Sequence, residues 1–316
     1  MERVSILDET EDIFRKAGFY LSHRCCSRPS CFDFTARRDN LLTFVKIHNN
    51  IGSTSPNEAS ELGAISSFFE ASSILVGERT KNRRMEHDTV YSRYGIYAVT
   101  PKTLKDALFR GFFPLVMAGP GGYYVRINGE LVRKRRHELG LSIGKLAEMI
   151  GISRRTLYGY ERGMANASVS TAYRLEWILG TAVIEPVNIF ERKKEKKGIF
   201  TTAKEFISKR CPLYKVLKKL MQFNFKIAQV KKAPFDFVAK IPEENLSILG
   251  GIAVKKEQNL ERRTEEIVSV GKVVGAQPIL ITSRKDEVPN SNDIPLFGLK
   301  EIEKIRKPED FVGSLF

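Results

Sequence analysis

Three of the four cysteines, Cys25, Cys26 and Cys31, fall within seven residues, and His23 stands beside them. Thiolates and imidazole are zinc ligands, but a structural site wants four of them, usually as paired Cys-x2-4-Cys units. The spacing here is Cys-Cys-x4-Cys with one histidine, and Cys211 lies far along the chain. The pattern fits free thiols better than a metal site, so no metal and no cofactor is expected. Disulfides are not expected in a reducing cytoplasm. The larger chemical signal is charge. Lys and Arg number 52 against 37 Asp and Glu, a formal net charge of +15. Such an excess favours polyanions through electrostatic steering and counterion release.

The chain has 316 residues and is 42% hydrophobic. A single core usually stops growing by about 250–300 residues, so two or three domains are expected. The N-terminus lacks the basic start and apolar run of a signal peptide. The longest apolar runs, such as Phe112-Phe-Pro-Leu-Val-Met-Ala-Gly119, fall short of the ~20 residues of a membrane span. A soluble, cytoplasmic protein with no membrane partner is the expectation. Ala118-Gly-Pro-Gly-Gly122 reads as a flexible break, and Arg192-Lys-Lys-Glu-Lys-Lys-Gly198 as a charged one. They divide the chain into domains over 1–120, 121–198 and 199–316.

The middle domain is punctuated by caps. Leu131, Val132 and Leu139 line one face of a helix that ends at Gly140. Ser142 caps a helix over 143–150 that ends at Gly151, and Ser153 caps another over 154–162 that ends at Gly163. Ser168 opens a fourth, with Ala172, Leu175, Ile178 and Leu179 as its apolar stripe. Two short helices joined by a tight turn have helix-turn-helix geometry, in which the second helix lies in the major groove of DNA. The bland alternative is a generic four-helix segment of a larger domain.

Leu131, Leu139-Gly140, Ser142, Lys145-Leu146-Ala147, Ile150-Gly151-Ile152-Ser153, Thr156-Leu157 and Tyr160-Glu161 before Gly163 together resemble the lambda-repressor-like (Cro/C1-type, Xre-like) domain. The resemblance implies that Ala147 sits where the two helices touch, with Leu146, Ile150, Ile152 and Leu157 in the core. It puts Arg154 and Arg155 at the exposed start of the recognition helix, where arginine can donate two bonds to guanine O6 and N7. Tyr158 would meet a thymine methyl or the backbone, and Lys145, Ser153 and Arg162 would meet phosphates, with Thr156 in the same DNA-binding set. The chain departs from the pattern at Ile143, where the family often has Gln, and at Gly159, a position often used for base contact.

The outer segments resemble each other. Cys31-Phe-Asp-Phe-Thr-Ala-Arg37 overlays Pro234-Phe-Asp-Phe-Val-Ala-Lys240. Asn40-Leu41 matches Asn245-Leu246 after a turn two residues longer, and Ser73-Ile-Leu-Val76 then falls on Pro278-Ile-Leu-Ile281. A duplicated domain explains this, and two unrelated domains sharing an apolar hairpin is the alternative. Each copy reads as helix (9–17 or 211–223), strand (19–22 or 226–230) and two β-rich runs (31–37 and 41–47, or 235–240 and 246–254). A long helix follows, with Leu62, Ile65, Phe68 and Phe69 over 56–72, or Leu260, Ile267, Val270 and Val274. Then come strands at 74–76 and 96–99, or 279–281 and 295–297, and a last helix from Pro101 or Leu299.

This order resembles the restriction-endonuclease-like core. That core often carries Asp on one hairpin strand and (Glu/Asp)-x-Lys on the next, the acids for Mg²⁺ and the Lys for the attacking water. The resemblance makes Asp33 and Lys46 the catalytic candidates. Phe44 stands where the second acid belongs, which leaves Glu58, Glu61 or Glu70 of the following helix to supply one. The second copy keeps Asp236, but Leu249-Gly250-Gly251 replaces the triplet. These departures imply catalytically silent domains.

The expected fold is therefore α/β and all-α multidomain: an all-α helix-turn-helix bundle between two duplicated mixed α/β, restriction-endonuclease-like domains. The whole arrangement is similar to a group of archaeal HTH-type transcriptional regulatory proteins. It implies a sequence-specific regulator that binds double-stranded DNA, not an enzyme. Such proteins bind as homodimers on near-palindromic sites, and the flanks would serve dimerisation or extra DNA contact. A Mg²⁺-dependent nuclease addressed by the central domain is the alternative, and a non-catalytic partner-binding module a third reading.

Overall fold

The computed structural model describes residues 3–81, 83–192, 212–223, 225–241, 246–253, 257–282, 294–306 and 308–315. Cys211, the turn at 242–245 and the charged run after Arg192 lie outside them. In chain order the first copy holds α1 (Arg3–Lys16), β1 (Tyr20–Leu21), β2 (Phe34–Arg38), β3 (Leu41–Ile47), α2 (Pro56–Phe68), β4 (Ser72–Val76), β5 (Arg79–Thr80), β6 (Arg83–Arg84), β7 (Thr89–Arg93), β8 (Ile96–Val99) and α3 (Pro101–Arg110). The centre holds β9 (Val116–Gly119), β10 (Gly122–Ile127), α4 (Gly129–Glu138), α5 (Ile143–Ile150), α6 (Arg154–Glu161), β11 (Ala167–Ser168), α7 (Val169–Leu179) and β12 (Ile184–Glu185). The last part holds α8 (Pro212–Gln222), β13 (Lys226–Gln229), β14 (Phe237–Ile241), β15 (Leu246–Ala253), α9 (Leu260–Val274), β16 (Gln277–Thr282), β17 (Leu296–Gly298), α10 (Leu299–Lys304) and α11 (Pro308–Gly313).

Two compact units result. One comprises residues 1–13, 48–53 and 75–189, the other 14–47, 54–74 and 190–316. In the second unit β1, β2 and β3 pair antiparallel. There β13, β14 and β15 also pair antiparallel, and β16 and β17 follow in parallel. Strand β15 is an almost continuous apolar run because both of its faces are covered, as a parallel neighbour demands. Its core gathers Leu217 and Leu220 of α8, Ile248 and Ile252 of β15, Ile279 and Ile281 of β16, and Phe311 of α11.

The duplication reaches the hydrogen bonds. Asp33 donates its backbone N–H to Val45 (2.8 Å), and its carboxylate accepts from the Ile47 amide (2.7 Å). Asp236 repeats both bonds with Gly250 (2.8 Å) and Ile252 (2.6 Å), each two residues further along the chain than in the first copy. The copies also touch reciprocally. Glu61 of α2 accepts from the amides of Lys231 and Lys232, and Glu266 of α9 accepts from those of Cys26 and Ser27. The matched Phe32 and Phe235 rings meet at 6.2 Å. An equivalent patch used by both partners is the isologous geometry of a twofold dimer, here within one chain.

In the first unit β7 pairs with β8 antiparallel and with β9 in parallel. Strands β9 and β10 form a hairpin, and β10 also pairs with β11 and β12. The supposed flexible break at Ala118–Gly122 is therefore a tight turn between paired strands, with Gly121 at φ 85°. Gly and Pro signal a turn and a linker alike, and the pairing partner decides between them. Helix α3 starts at Pro101, as expected, under a Thr100 cap that the sequence reading did not name, and ends at left-handed Gly111.

Gly250 shows how closely the second copy is packed. A Cβ there would lie 2.0–2.6 Å from atoms of the Phe237 ring. Gly250→Ala is expected to cost about 1–3 kcal/mol through overpacking. The check is the urea midpoint, and an unchanged midpoint refutes the packing argument.

Candidate nucleic-acid interface

Four helix starts are capped as their sequence demands. Asn128 accepts from the Leu131 amide (2.8 Å), Ser142 from Lys145 (3.0 Å), Ser153 from Thr156 (3.0 Å) and Ser168 from Thr171 (3.2 Å). Gly140, Gly151, Gly163 and Gly180 take positive φ just past the helix ends. Leu146, Ala147, Ile150 and Leu157 are buried in one cluster with Val132, Tyr160, Ala172, Leu175 and Leu179, while Ile152 and Ile178 pack at its margin. Leu139 does not line the inner face of α4. It is the C-terminal cap residue, directly after the last helical residue Glu138, and is exposed.

A buried ion pair sets α6 against α4. The Arg136 guanidinium grips Glu161 with two bonds, Nε at 2.6 Å and Nη2 at 3.1 Å, and its Nη1 donates to the Leu141 carbonyl (3.0 Å). Both side chains are about 5% exposed, at 6% and 5%. The start of α4 comes close to the same place. A Cβ on Gly129 would lie 2.4 Å from the Tyr160 carbonyl oxygen and 2.6 Å from that of Glu161. Only glycine fits there.

With Leu157 and Tyr160 turned inward, α6 presents Arg154, Arg155 and Tyr158 to solvent, and its cap residue Arg162 continues that face. The Arg162 guanidinium lies 5.4 Å from the Tyr158 ring centre. Ser153 and Thr156 share a hydroxyl bond at the helix start (2.8 Å), so both are partly committed to the cap. Lys145 is exposed on α5 and pairs with Glu148 at 3.3 Å. Sequence reasoning missed Gly144: a Cβ there would lie 2.7 Å from Nε of Arg154, so this glycine sits directly against the exposed Arg154 guanidinium. Gly159 has no such reason, since the nearest foreign atom to a Cβ would be 3.8 Å away.

The helices also carry a β attachment that periodicity did not disclose. Strand β12 is held by Glu176 of α7, whose carboxylate accepts from the Val183 and Ile184 amides (2.8 and 3.1 Å). Arg135 of α4 donates to the Leu179 carbonyl at the end of α7 (2.9 Å). The alternating Tyr124-Val125-Arg126-Ile127 stretch was the available signal, with Val125 and Ile127 buried in the helical core.

The nuclease-like centres have a different character. In the first copy, buried Lys46 lies 3.5 Å from Asp33 and 3.2 Å from Glu58, and donates to the Ser30 carbonyl (2.6 Å). Of the three glutamates considered, Glu58 joins the site, Glu61 holds the loop amides described above, and Glu70 lies beyond the helix at φ 52°. In the second copy Gly251 removes the strand lysine, and Arg263 of α9, entirely buried, supplies the cation instead. Arg263 binds Asp236 and Glu257 and the carbonyls of Pro234 and Ile252, and Arg28 adds bonds to Asp236 (2.8 Å) and Glu257 (3.3 Å). Cations thus fill the space beside these acids. Among the described residues no group of three or more His, Cys, Asp or Glu is placed to hold a metal. Cys25 and Cys31 are buried, and burial pushes both thiols well up from their ordinary pKa.

Residues 3–114 match the PD-(D/E)XK superfamily domain and residues 132–184 the helix-turn-helix family. A protein of Thermococcus kodakarensis named "Putative HTH-type transcriptional regulatory protein" is 35% identical over 99% of this chain and 95% of its own. One of Methanocaldococcus jannaschii with the same name is 33% identical over 96% of this chain and 93% of its own. The chain belongs to this family. A solved restriction-modification controller protein from Aeromonas hydrophila shares 34% identity over 17% of this chain and 80% of its own, at a TM-score of 0.16. Among the described residues no helix is long and apolar enough to cross a membrane.

Arg136→Met is expected to cost about 3–5 kcal/mol, because it strands Glu161 as a buried unpaired charge. Replacing both partners with apolar residues should recover most of that loss. Gly159→Ala should instead raise stability by about 0.4–1 kcal/mol, since the chain there is helical and unobstructed. Thermal and urea unfolding of the three variants check the signs, and a Gly159→Ala protein that melts lower refutes the second.

Proposed function

We propose that this chain is a sequence-specific transcriptional regulator of double-stranded DNA that lays α6 in the major groove. The observation that carries the reading is the solvent-facing row Arg154, Arg155, Tyr158 and Arg162 on a helix whose inner side is locked by Arg136 and Glu161. Arginine forks at the start of such a helix match guanine O6 and N7. Lys145, Ser153, Thr156 and Arg162 then meet backbone phosphates and set the register. With Gly159 offering no side chain, base reading concentrates on Arg154, Arg155 and Tyr158.

The assignment extends to the rest of the chain. The protein acts in the cytoplasm as a homodimer on near-palindromic half-sites about one helical turn apart. Its DNA-binding domain spans 121–198, and the flanking copies over 1–120 and 199–316 serve assembly and further contact with DNA, without cleavage. What supports a silent flank is Phe44 at the place of the second acid in the first copy, and Gly251 with Arg263 beside Asp236 in the second. What keeps the nuclease alternative open to test is that Asp33, Lys46 and Glu58 do converge.

Selection of bound genomic fragments, followed by titration at matched salt, tests the main reading. Arg154→Ala and Arg155→Ala should each reduce discrimination between selected and random duplex about 5–150-fold, equivalent to 1–3 kcal/mol. A wild-type protein that binds both duplexes alike removes the reading. Sedimentation of the protein with and without duplex tests the dimer. Long incubation with supercoiled DNA and Mg²⁺ or Mn²⁺ should give no nicking, whereas nicking that disappears in Asp33→Ala would establish the nuclease.

A further inference from the structure

The hairpin of β5 and β6 carries Arg79, Lys81, Arg83 and Arg84, all of them exposed. Its register sets Arg79 directly opposite Arg84. Like charges facing each other across a ladder oppose the pairing. None of the four forms an ion pair with another described residue. The nearest following acid, Glu86, is engaged by the hydroxyl of Tyr123.

The backbone beneath these cations is nevertheless firmly held. The Arg79 amide donates to the Asn49 carbonyl (3.0 Å). The Asn50 side chain accepts from the Lys81 amide (3.0 Å) and donates to the Lys81 carbonyl (2.7 Å). Met85 is buried and donates its amide to Glu78 (2.7 Å), which closes the base of the hairpin. Lys81 takes φ 52° at the turn, a left-handed conformation stabilised here by the Asn50 clamp. The result is a stiff strand pair with unneutralised cations held close together. Such an array is unfavourable in isolation and is relieved by a polyanion whose charges are closely and regularly spaced.

We propose that this hairpin is a second nucleic-acid contact, which grips the phosphate backbone of duplex DNA through Arg79, Lys81, Arg83 and Arg84. Guanidinium forks suit phosphate oxygens better than ammonium groups do. The hairpin has only two residues per strand, which fits backbone contact and not base reading. It belongs to the same compact unit as the recognition helix. The choice of duplex DNA as the polyanion rests on the regulator reading above.

The test uses the full chain with Arg79→Gln, Arg83→Gln and Arg84→Gln combined. Its affinity is measured by fluorescence anisotropy for operator duplex with long flanks and for random duplex, over a series of KCl concentrations. Each lost phosphate contact should reduce the slope of log K against log salt by about 0.9, so a fall of about 2–3 is expected on both duplexes. The melting temperature should not drop, because a like-charge pair is removed. The matching Arg→Lys variant should keep most of the slope. Should the triple variant fail to fold, Arg84→Gln alone should lower the slope by about 1. An unchanged slope in a folded variant overturns the proposal, as does a loss confined to operator duplex or seen with single-stranded RNA alone. If the wild type fails to discriminate operator from random duplex, the regulator reading falls. A slope change on random duplex would then still support the hairpin contact.

Discussion

A carboxylate removed from water must find a cation and hydrogen bonds, or its burial costs several kcal/mol. Each part of this protein is organised around that requirement. Glu161 meets Arg136 in the helix-turn-helix, Asp33 meets Lys46 in the first flanking copy, and Asp236 meets Arg263 in the second. The three pairs have the same physics and different consequences. In the central domain the pair orients a surface helix. In the flanks it neutralises the aspartate that each copy carries on its hairpin.

The two flanking pairs also record how a duplicated site can diverge without losing its charge balance. The strand lysine of the first copy becomes Gly251, and the helix acid Glu58 is replaced at the corresponding place by Arg263. The cation has moved from strand to helix while the aspartate kept both of its backbone partners. Arg28 then crosses from the first copy into the second site, so the copies stabilise each other chemically as well as by packing. The reciprocal glutamate–amide clamps join the two copies in the manner of a dimer contained in one chain.

The net charge of +15 is not spread evenly in effect, because many arginines are consumed in buried pairs and carbonyl contacts. What remains exposed on α6 and on the hairpin of β5 and β6 is arginine-rich and held by backbone hydrogen bonds. Preorganised cations lose little freedom on binding, so under the proposed reading their placement matters more than their number.

How much of this was legible before the fold was known divides along a physical line. Helix caps are local: a serine oxygen reaches an amide three residues on, and a glycine relieves a left-handed turn at the same spot. Ser142, Gly151, Ser153, Gly163 and Ser168 therefore announced α5, α6 and α7 almost residue by residue. The repeated Phe-Asp-Phe likewise announced the duplication. Non-local pairing left no such trace. The turn at Ala118–Gly122 looked like a linker until β10 found β9, β11 and β12. Helical spacing offered Glu58 and Glu61 without saying which faced Lys46, because only packing against the strand chooses a face. The move of the cation to Arg263 and the clamp of Asn50 on the hairpin were decided by tertiary structure alone. Their partners come together only when distant segments meet, and no spacing along the chain encodes that meeting.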